Sequence, residues 1–205
     1  MAMSLKVIVP PHPLIKHWLS ILRDKNTPNA LYSTGYEQIG KWLTYEALRD
    51  WIPYKNQRIE TFNGSTEGCF IDPNYPIKVI AKIPEGLTLW IGSKEIIPNS
   101  VLCLGDLPNK IENNEGIVLY TGQIMKKNNP INILERLKNL GVNSNRILLI
   151  SCISSKEGLN EIAIKFPKQT IYTSCIDNEN SQTYELNPGI GNPMLRLITL
   201  FQEKN

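Results

Sequence analysis

Ile147-Leu148-Leu149-Ile150-Ser151-Cys152-Ile153 is an almost unbroken apolar run. A strand with one wet face alternates apolar and polar residues; a run without alternation is expected of a parallel strand buried on both faces. Downstream, Glu157 to Phe166 reads as a short helix and Thr170 to Ile176 as the last clear strand. Upstream, Pro130 to Leu140 reads as a helix with Gly141 past its end, preceded by the strand Ile117-Val118-Leu119-Tyr120. Before that come the strand Ile77 to Ala81, a helix over Gly86 to Ile97 closed by Pro98, and the strand Val101-Leu102-Cys103-Leu104. The first third is helical in pattern. Leu14, Ile15, Trp18, Leu19, Ile21 and Leu22 recur at helical spacing with Pro13 in the first turn. Tyr36, Ile39, Trp42, Leu43 and Ala47 repeat that spacing, Trp51 extends the stripe, and Pro53 ends it. Strands alternating with helices predict βαβ units and a mostly parallel sheet flanked by helices.

The chain has 205 residues, enough for one domain over residues 1–205. Its composition, 41% hydrophobic and 20% charged, is that of a globular protein rather than a disordered one. A net charge of +3 without a long Lys/Arg block argues against a nucleic-acid footprint. Lys126-Lys127 is the densest basic spot. No uncharged apolar run is long enough to insert into a bilayer. Nor does a signal-like apolar run open the chain, since Lys6 is followed by Pro10, Pro11 and Pro13. Cys69, Cys103, Cys152 and Cys175 stand far apart, with no Cys-x-x-Cys pair to suggest zinc. They are expected to be reduced thiols in a cytoplasmic or equivalent reducing compartment, with Cys103, Cys152 and Cys175 buried. His12 and His17 are the only histidines and lack a third ligand, so no metal site is expected there. Asp177-Asn178-Glu179 has the look of a solvated turn.

Several motifs carry a family resemblance. His12-Pro13-Leu14-Ile15-Lys16-His17, Ile21-Leu22-Arg23-Asp24 and Thr44-Tyr45-Glu46-Ala47-Leu48-Arg49-Asp50 occur in order. Near the C-terminus follow Glu157-Gly158, Ile171-Tyr172-Thr173, Ile176-Asp177 and Pro188-Gly189-Ile190-Gly191. Together they resemble uracil phosphoribosyltransferase, a type I phosphoribosyltransferase. That resemblance implies a type I phosphoribosyltransferase-like α/β fold with a pair of N-terminal helices and a small C-terminal hood. It also implies a homodimer, for which Trp18, Trp42 and Trp51 are candidate interface residues, and a uracil-reading turn at Gly189-Ile190-Gly191.

The same resemblance implies a reaction joining uracil to phosphoribosyl pyrophosphate, and here the chain departs from the family. The family's Asp-Pro-Met-Leu-Ala-Thr-Gly-Gly-Ser loop corresponds to Leu119-Tyr120-Thr121-Gly122-Gln123-Ile124-Met125-Lys126-Lys127-Asn128-Asn129-Pro130. Leu119 or Tyr120 stands for the carboxylate, and the double glycine that brings phosphate to backbone N–H groups is missing. Thr121-Gly122 is the remnant. Asn129 and Pro130 rebuild the next helix start, with Asn129 as cap. The family's Pro-Ile-Leu-Arg-Ala-Gly becomes Ala81-Lys82-Ile83-Pro84-Glu85-Gly86, with proline for arginine and Lys82 expected to face away. The Tyr-Arg-Asp turn before the family's mobile arm becomes Gly105-Asp106-Leu107-Pro108-Asn109. The Gly-Asp-Ala-Gly-Asp motif becomes Gly191-Asn192-Pro193-Met194-Leu195, followed by Arg196.

Those departures lead to the expectation of a catalytically degenerate homologue with a binding, regulatory or scaffolding role and no catalytic residue. The alternative is a divergent but active enzyme, the only case in which Mg²⁺ enters, with Lys126 and Lys127 gripping phosphate. Candidate contacts for a pyrimidine or nucleotide ligand are Gly189, Ile190, Gly191, Asn192, Thr121, Gly122, Lys126 and Lys127.

Overall fold

The computed structural model describes residues 5–104 and 107–198, so Gly105 and Asp106 of the expected turn lie outside the described residues. Its centre is the apolar run quoted above. That run forms β7 (Ile147–Ser155), and every one of its residues is buried. Beside it β6 (Gly116–Ile124), equally buried throughout, pairs in parallel from Ile117↔Ile147 to Ile124↔Ser154. β8 (Thr170–Thr173) and then the short β1 (Lys6–Ile8) extend the sheet on one side. β4 (Ile77–Ala81) and β5 (Ser100–Cys103) extend it on the other, giving the order β1-β8-β7-β6-β4-β5, all parallel.

Alternate residues of these buried strands feed two cores. Val118, Tyr120, Leu148 and Ile150 face α1 (Pro13–Arg23), α2 (Asn29–Leu48) and α3 (Glu85–Ser93). Ile117, Leu119, Leu149 and Ile171 face α4 (Ile131–Asn139) and α5 (Lys156–Lys165). The apolar runs are therefore continuous because both faces are covered, as a layered α/β architecture requires. His12 is not a ligand but a cap: its Nδ1 accepts from the Leu14 N–H, and its ring stacks on Trp42. Trp18, Trp42 and Trp51 are half-buried and pack on the first core, so their apolar surface is largely satisfied within the chain.

Several boundaries differ from the periodicity. α3 stops at Ser93 instead of Ile97. Ser93 Oγ bonds back to the Leu89 and Trp90 carbonyls at 3.2 and 3.1 Å, competing with continued helix. Trp51 lies beyond α2 and sits edge-on to Tyr75. The stretch Thr170 to Ile176 is broken into β8 and β9 (Ile176–Glu179); β9 pairs with the end of β7 and with β10 (Leu186–Asn187). With α6 (Pro193–Leu197) these form the C-terminal hood. The hairpin β2 (Tyr54–Thr61) and β3 (Gly64–Ile71) was marked in sequence only by Asn63-Gly64. Nearly all its residues are exposed, so it has no buried face to imprint an alternation.

α2 and α3 cross closely at two glycines. A Cβ on Gly40 would lie 2.1 Å from the Leu89 carbonyl oxygen, and one on Gly92 1.9 Å from that of Glu37. The cysteines form no disulfide; Cys152 is buried, Cys103 and Cys175 half-buried, and Cys69 exposed. Among the described residues no helix is long and apolar enough to cross a membrane.

Candidate ligand cleft beneath the hood

From β4 the chain moves to β5 on one side of the sheet, whereas β6, β7 and β8 progress toward the other. The order therefore reverses between β4 and β6, and in parallel α/β sheets ligands settle at the strand C-termini of such a point. A cleft of about 450 Å³ lies there, with Glu85, Gln123 and Asn128 on one wall and Tyr184, Gly189 and Asn192 of the hood on the other.

Asp177 holds the hood in place. It is not a solvated turn residue, as its sequence neighbours suggest, but a strand residue whose side chain is 4% exposed. Arg23 at the end of α1 clamps both its oxygens, at 2.8 and 2.9 Å, and also donates to the Gly189 carbonyl. The Gly189 N–H donates to Asp177 Oδ2 at 2.9 Å. Burial by itself raises the Asp177 pKa, but the Arg23 hydrogen bonds and charge outweigh it and hold the carboxyl below the usual carboxylate range. Gly189 and Gly191 adopt φ of +64° and +73°, which a side chain disfavours, and a Cβ on Gly189 would meet the Leu186 carbonyl at 2.3 Å. Ile190 between them is buried, and its carbonyl accepts from Tyr32 at 3.1 Å. Arg196 stacks on the Tyr32 ring and donates to the carbonyls of Leu22, Asp24 and Thr27, fastening α6 to the α1–α2 turn. The N–H groups of Ile190 and Gly191 donate to none of the described residues, and Gly191 lines the cleft. Asn192 caps α6 through its carboxamide oxygen, which accepts from Met194 N at 3.0 Å.

The opposite wall has been rebuilt. Thr121 and Gly122 do not lie in a loop; both are buried inside β6, which runs four residues beyond Tyr120. A phosphate loop needs splayed backbone N–H groups, whereas a central strand commits its amides to neighbours. Gly122 is instead where Glu85 lies: a Cβ there would fall 1.9 Å from Glu85 Oε2. Burial raises the Glu85 pKa, with Lys82 acting in the opposite sense. Lys82, expected to face away, reaches across to Asn128 Oδ1 at the lip of the cleft. Lys126 and Lys127 are exposed. The Lys126 N–H donates to the Glu179 carboxylate at 3.0 Å, and the Lys127 ammonium lies 3.5 Å from the Tyr184 ring centroid. Asn129 Oδ1 accepts from Ile131 N at 3.1 Å and so does cap α4, with Pro130 rather than Asn129 in the cap position itself.

Tyr120, one of the two residues expected to stand for a carboxylate, points into the core instead of the cleft. Its hydroxyl lies 2.7 Å from Thr44 Oγ1 and 2.8 Å from Ser93 Oγ. Thr44 also donates to the Gly40 carbonyl at 2.6 Å, and Ser93 Oγ reaches the Leu89 and Trp90 carbonyls, so the three hydroxyls form one buried network. Tyr120→Phe leaves two buried hydroxyls short of a partner and is expected to cost about 1–3 kcal/mol, read by urea denaturation.

Among the described residues no group of three or more His, Cys, Asp or Glu could hold a metal. Leu195 is exposed and carries no donor for a cation, and Asp177 is engaged by Arg23. Among the described residues the side chains therefore do not fit a protein-held Mg²⁺. Sequence reasoning missed Gln123, which is buried and lines the cleft, and Glu185 on the hood side. Gln123 follows an apolar strand without a motif of its own, so only its position at the strand's end marks it.

The parallel sheet with its flanking helices, N-terminal helical pair and hood defines a type I phosphoribosyltransferase-like protein. A solved structure described as the AQ2163 protein from Aquifex aeolicus superposes with a TM-score of 0.77, covering 93% of this chain and 97% of that one at 21% identity, a likeness of fold. The sequence profile of uracil phosphoribosyltransferase matches residues 9–197, and the chain belongs to that family. The uracil phosphoribosyltransferase of Synechocystis sp. is 31% identical, over 93% of this chain and 96% of the relative. That of Synechococcus elongatus is 29% identical, over 97% and 99%. A Porphyra purpurea protein named uracil phosphoribosyltransferase homolog is 28% identical, over 88% and 93%.

Proposed function

We propose that the protein binds a uracil-class pyrimidine beneath the hood and does not transfer a phosphoribosyl group to it. One observation carries this reading: the braced turn at Gly189-Ile190-Gly191 sets at the cleft the Gly191 N–H, which donates to none of the described residues, while β6 continues as buried strand where the family reads phosphate. A backbone N–H donor on a fixed turn suits a pyrimidine carbonyl, because a turn that cannot relax discriminates by leaving a wrong edge unpaired. Glu85, close against Gly122, adds a carboxylate where the reaction would place a polyphosphate, and two such charges repel at short range.

The second reading is an active uracil phosphoribosyltransferase. The comparisons favour it, since the chain matches enzymes of that name over nearly their whole length. In that reading Lys126 and Lys127 meet the phosphate. A homodimer, expected from the family, is supported by the exposed Tyr45 and Ile71 flanking an apolar pocket between α2 and the β2–β3 hairpin.

Thermal shift and product analysis on the same protein separate the readings. Uracil or its derivatives at 100-fold excess over Kd are expected to raise Tm by about 5–10 °C. No UMP should form from uracil, phosphoribosyl pyrophosphate and Mg²⁺. Robust turnover, lost in Lys126→Ala/Lys127→Ala, establishes the second reading. No shift with any pyrimidine leaves a scaffold with an empty cleft.

A further inference from the structure

Gln123 is only 6% exposed as a residue, and its carboxamide opens onto the cleft and bonds to none of the described residues. An amide that lines a cleft with no partner in the protein is available to a ligand's polar group. The Glu85 carboxylate on the same wall is likewise without a hydrogen-bond partner among the described residues, although it packs against Gly122. Both lie across the cleft from the hood turn, and a space of about 450 Å³ is much larger than one six-membered ring. A free base seated on the hood would leave Glu85 and Gln123 unsatisfied.

Charge narrows the occupant further. The side chains lining the cleft include two acids, Glu85 and Glu185, and neither lysine nor arginine. The nearby cations are turned to other partners, Lys82 to Asn128 and Lys127 to the face of Tyr184. A phosphate in this space would meet two lining carboxylates, with Lys82 and Lys127 only at its edge, whereas hydroxyl groups would be donors to those carboxylates.

We infer that the cleft takes a neutral pyrimidine ribonucleoside, its base on the hood turn and its vicinal sugar hydroxyls on Glu85 and Gln123. This rests on the pyrimidine reading above and names the ligand class for the same site. A carboxylate accepts two O–H bonds side by side, and the carboxamide both donates and accepts, so together they fit a diol.

Isothermal titration of the full chain with uracil, uridine, 2′,3′-dideoxyuridine and UMP tests it. Uridine is expected to bind at least tenfold tighter than each of the other three. Glu85→Ala should bring uridine down to the level of dideoxyuridine. The unsubstituted protein alone decides the matter if that variant does not fold. Uridine binding no tighter than uracil, or UMP binding as tightly as uridine, overturns the nucleoside assignment and leaves the pyrimidine reading standing. If none of the four binds, both fall together.

Discussion

Arg23→Ala is expected to destabilise the protein by about 3–5 kcal/mol, lowering Tm by roughly 10 °C and loosening the hood. Its guanidinium is the only cation on Asp177 among the described residues, and the Asp177 side chain is almost wholly out of water. Removing one partner of a buried pair leaves the other charged and unpaired, which costs more than the pair contributes. Asp177→Asn in the same background should recover part of the loss. The sign with pH follows from the depressed carboxyl pKa. Such a group stabilises the fold above the unfolded value of about 3.9 and ceases to as pH falls through its folded value. The gap between wild type and Arg23→Ala should therefore be widest near neutral pH, begin to shrink as the unpaired Asp177 of the variant takes a proton, and go on shrinking as pH falls below about 4, as measured by urea denaturation. An unchanged gap at pH 3 would show that the pair is not what holds Asp177.

Gly92→Ala should cost about 3 kcal/mol, and Gly40→Ala a similar amount. In each case the added methyl meets a backbone carbonyl of the partner helix rather than a side chain that can turn aside. The helices must separate, and that disturbs Ser93, which holds the Tyr120 hydroxyl. Gly141 is the contrast. It has φ of +80° with nothing within 4 Å of a built Cβ. Gly141→Ala therefore carries only the left-handed backbone strain of about 1–2 kcal/mol. Equilibrium denaturation of the three variants separates steric crossing from backbone strain.

The layered sheet was legible because burial on both faces leaves continuous apolar runs, as in β6 and β7. The β2–β3 hairpin was not, since its exposed strands impose no pattern on their residues. At the site, Gly189 and Gly191 could be picked out because left-handed backbone selects glycine. Asp177 could not be read correctly: Asp-Asn-Glu is polar in any context, and its burial depends on Arg23, 154 residues away. The resemblance led to the expectation that Thr121-Gly122 is a loop remnant, and where these residues sit in the fold was not legible. Thr121 and Gly122 had the composition of a loop and became strand because β7 offers a partner as far as Ser154.

The sequence by itself determined the layered architecture and the family, because apolar period and motif order are local properties written along the chain. Only the tertiary structure decided that Arg23 braces the hood, that Glu85 lies against Gly122, and that Gln123 faces the cleft with no hydrogen bond to the described residues. Those are contacts between distant segments, and their energies depend on burial and distance, which the order of residues alone does not specify.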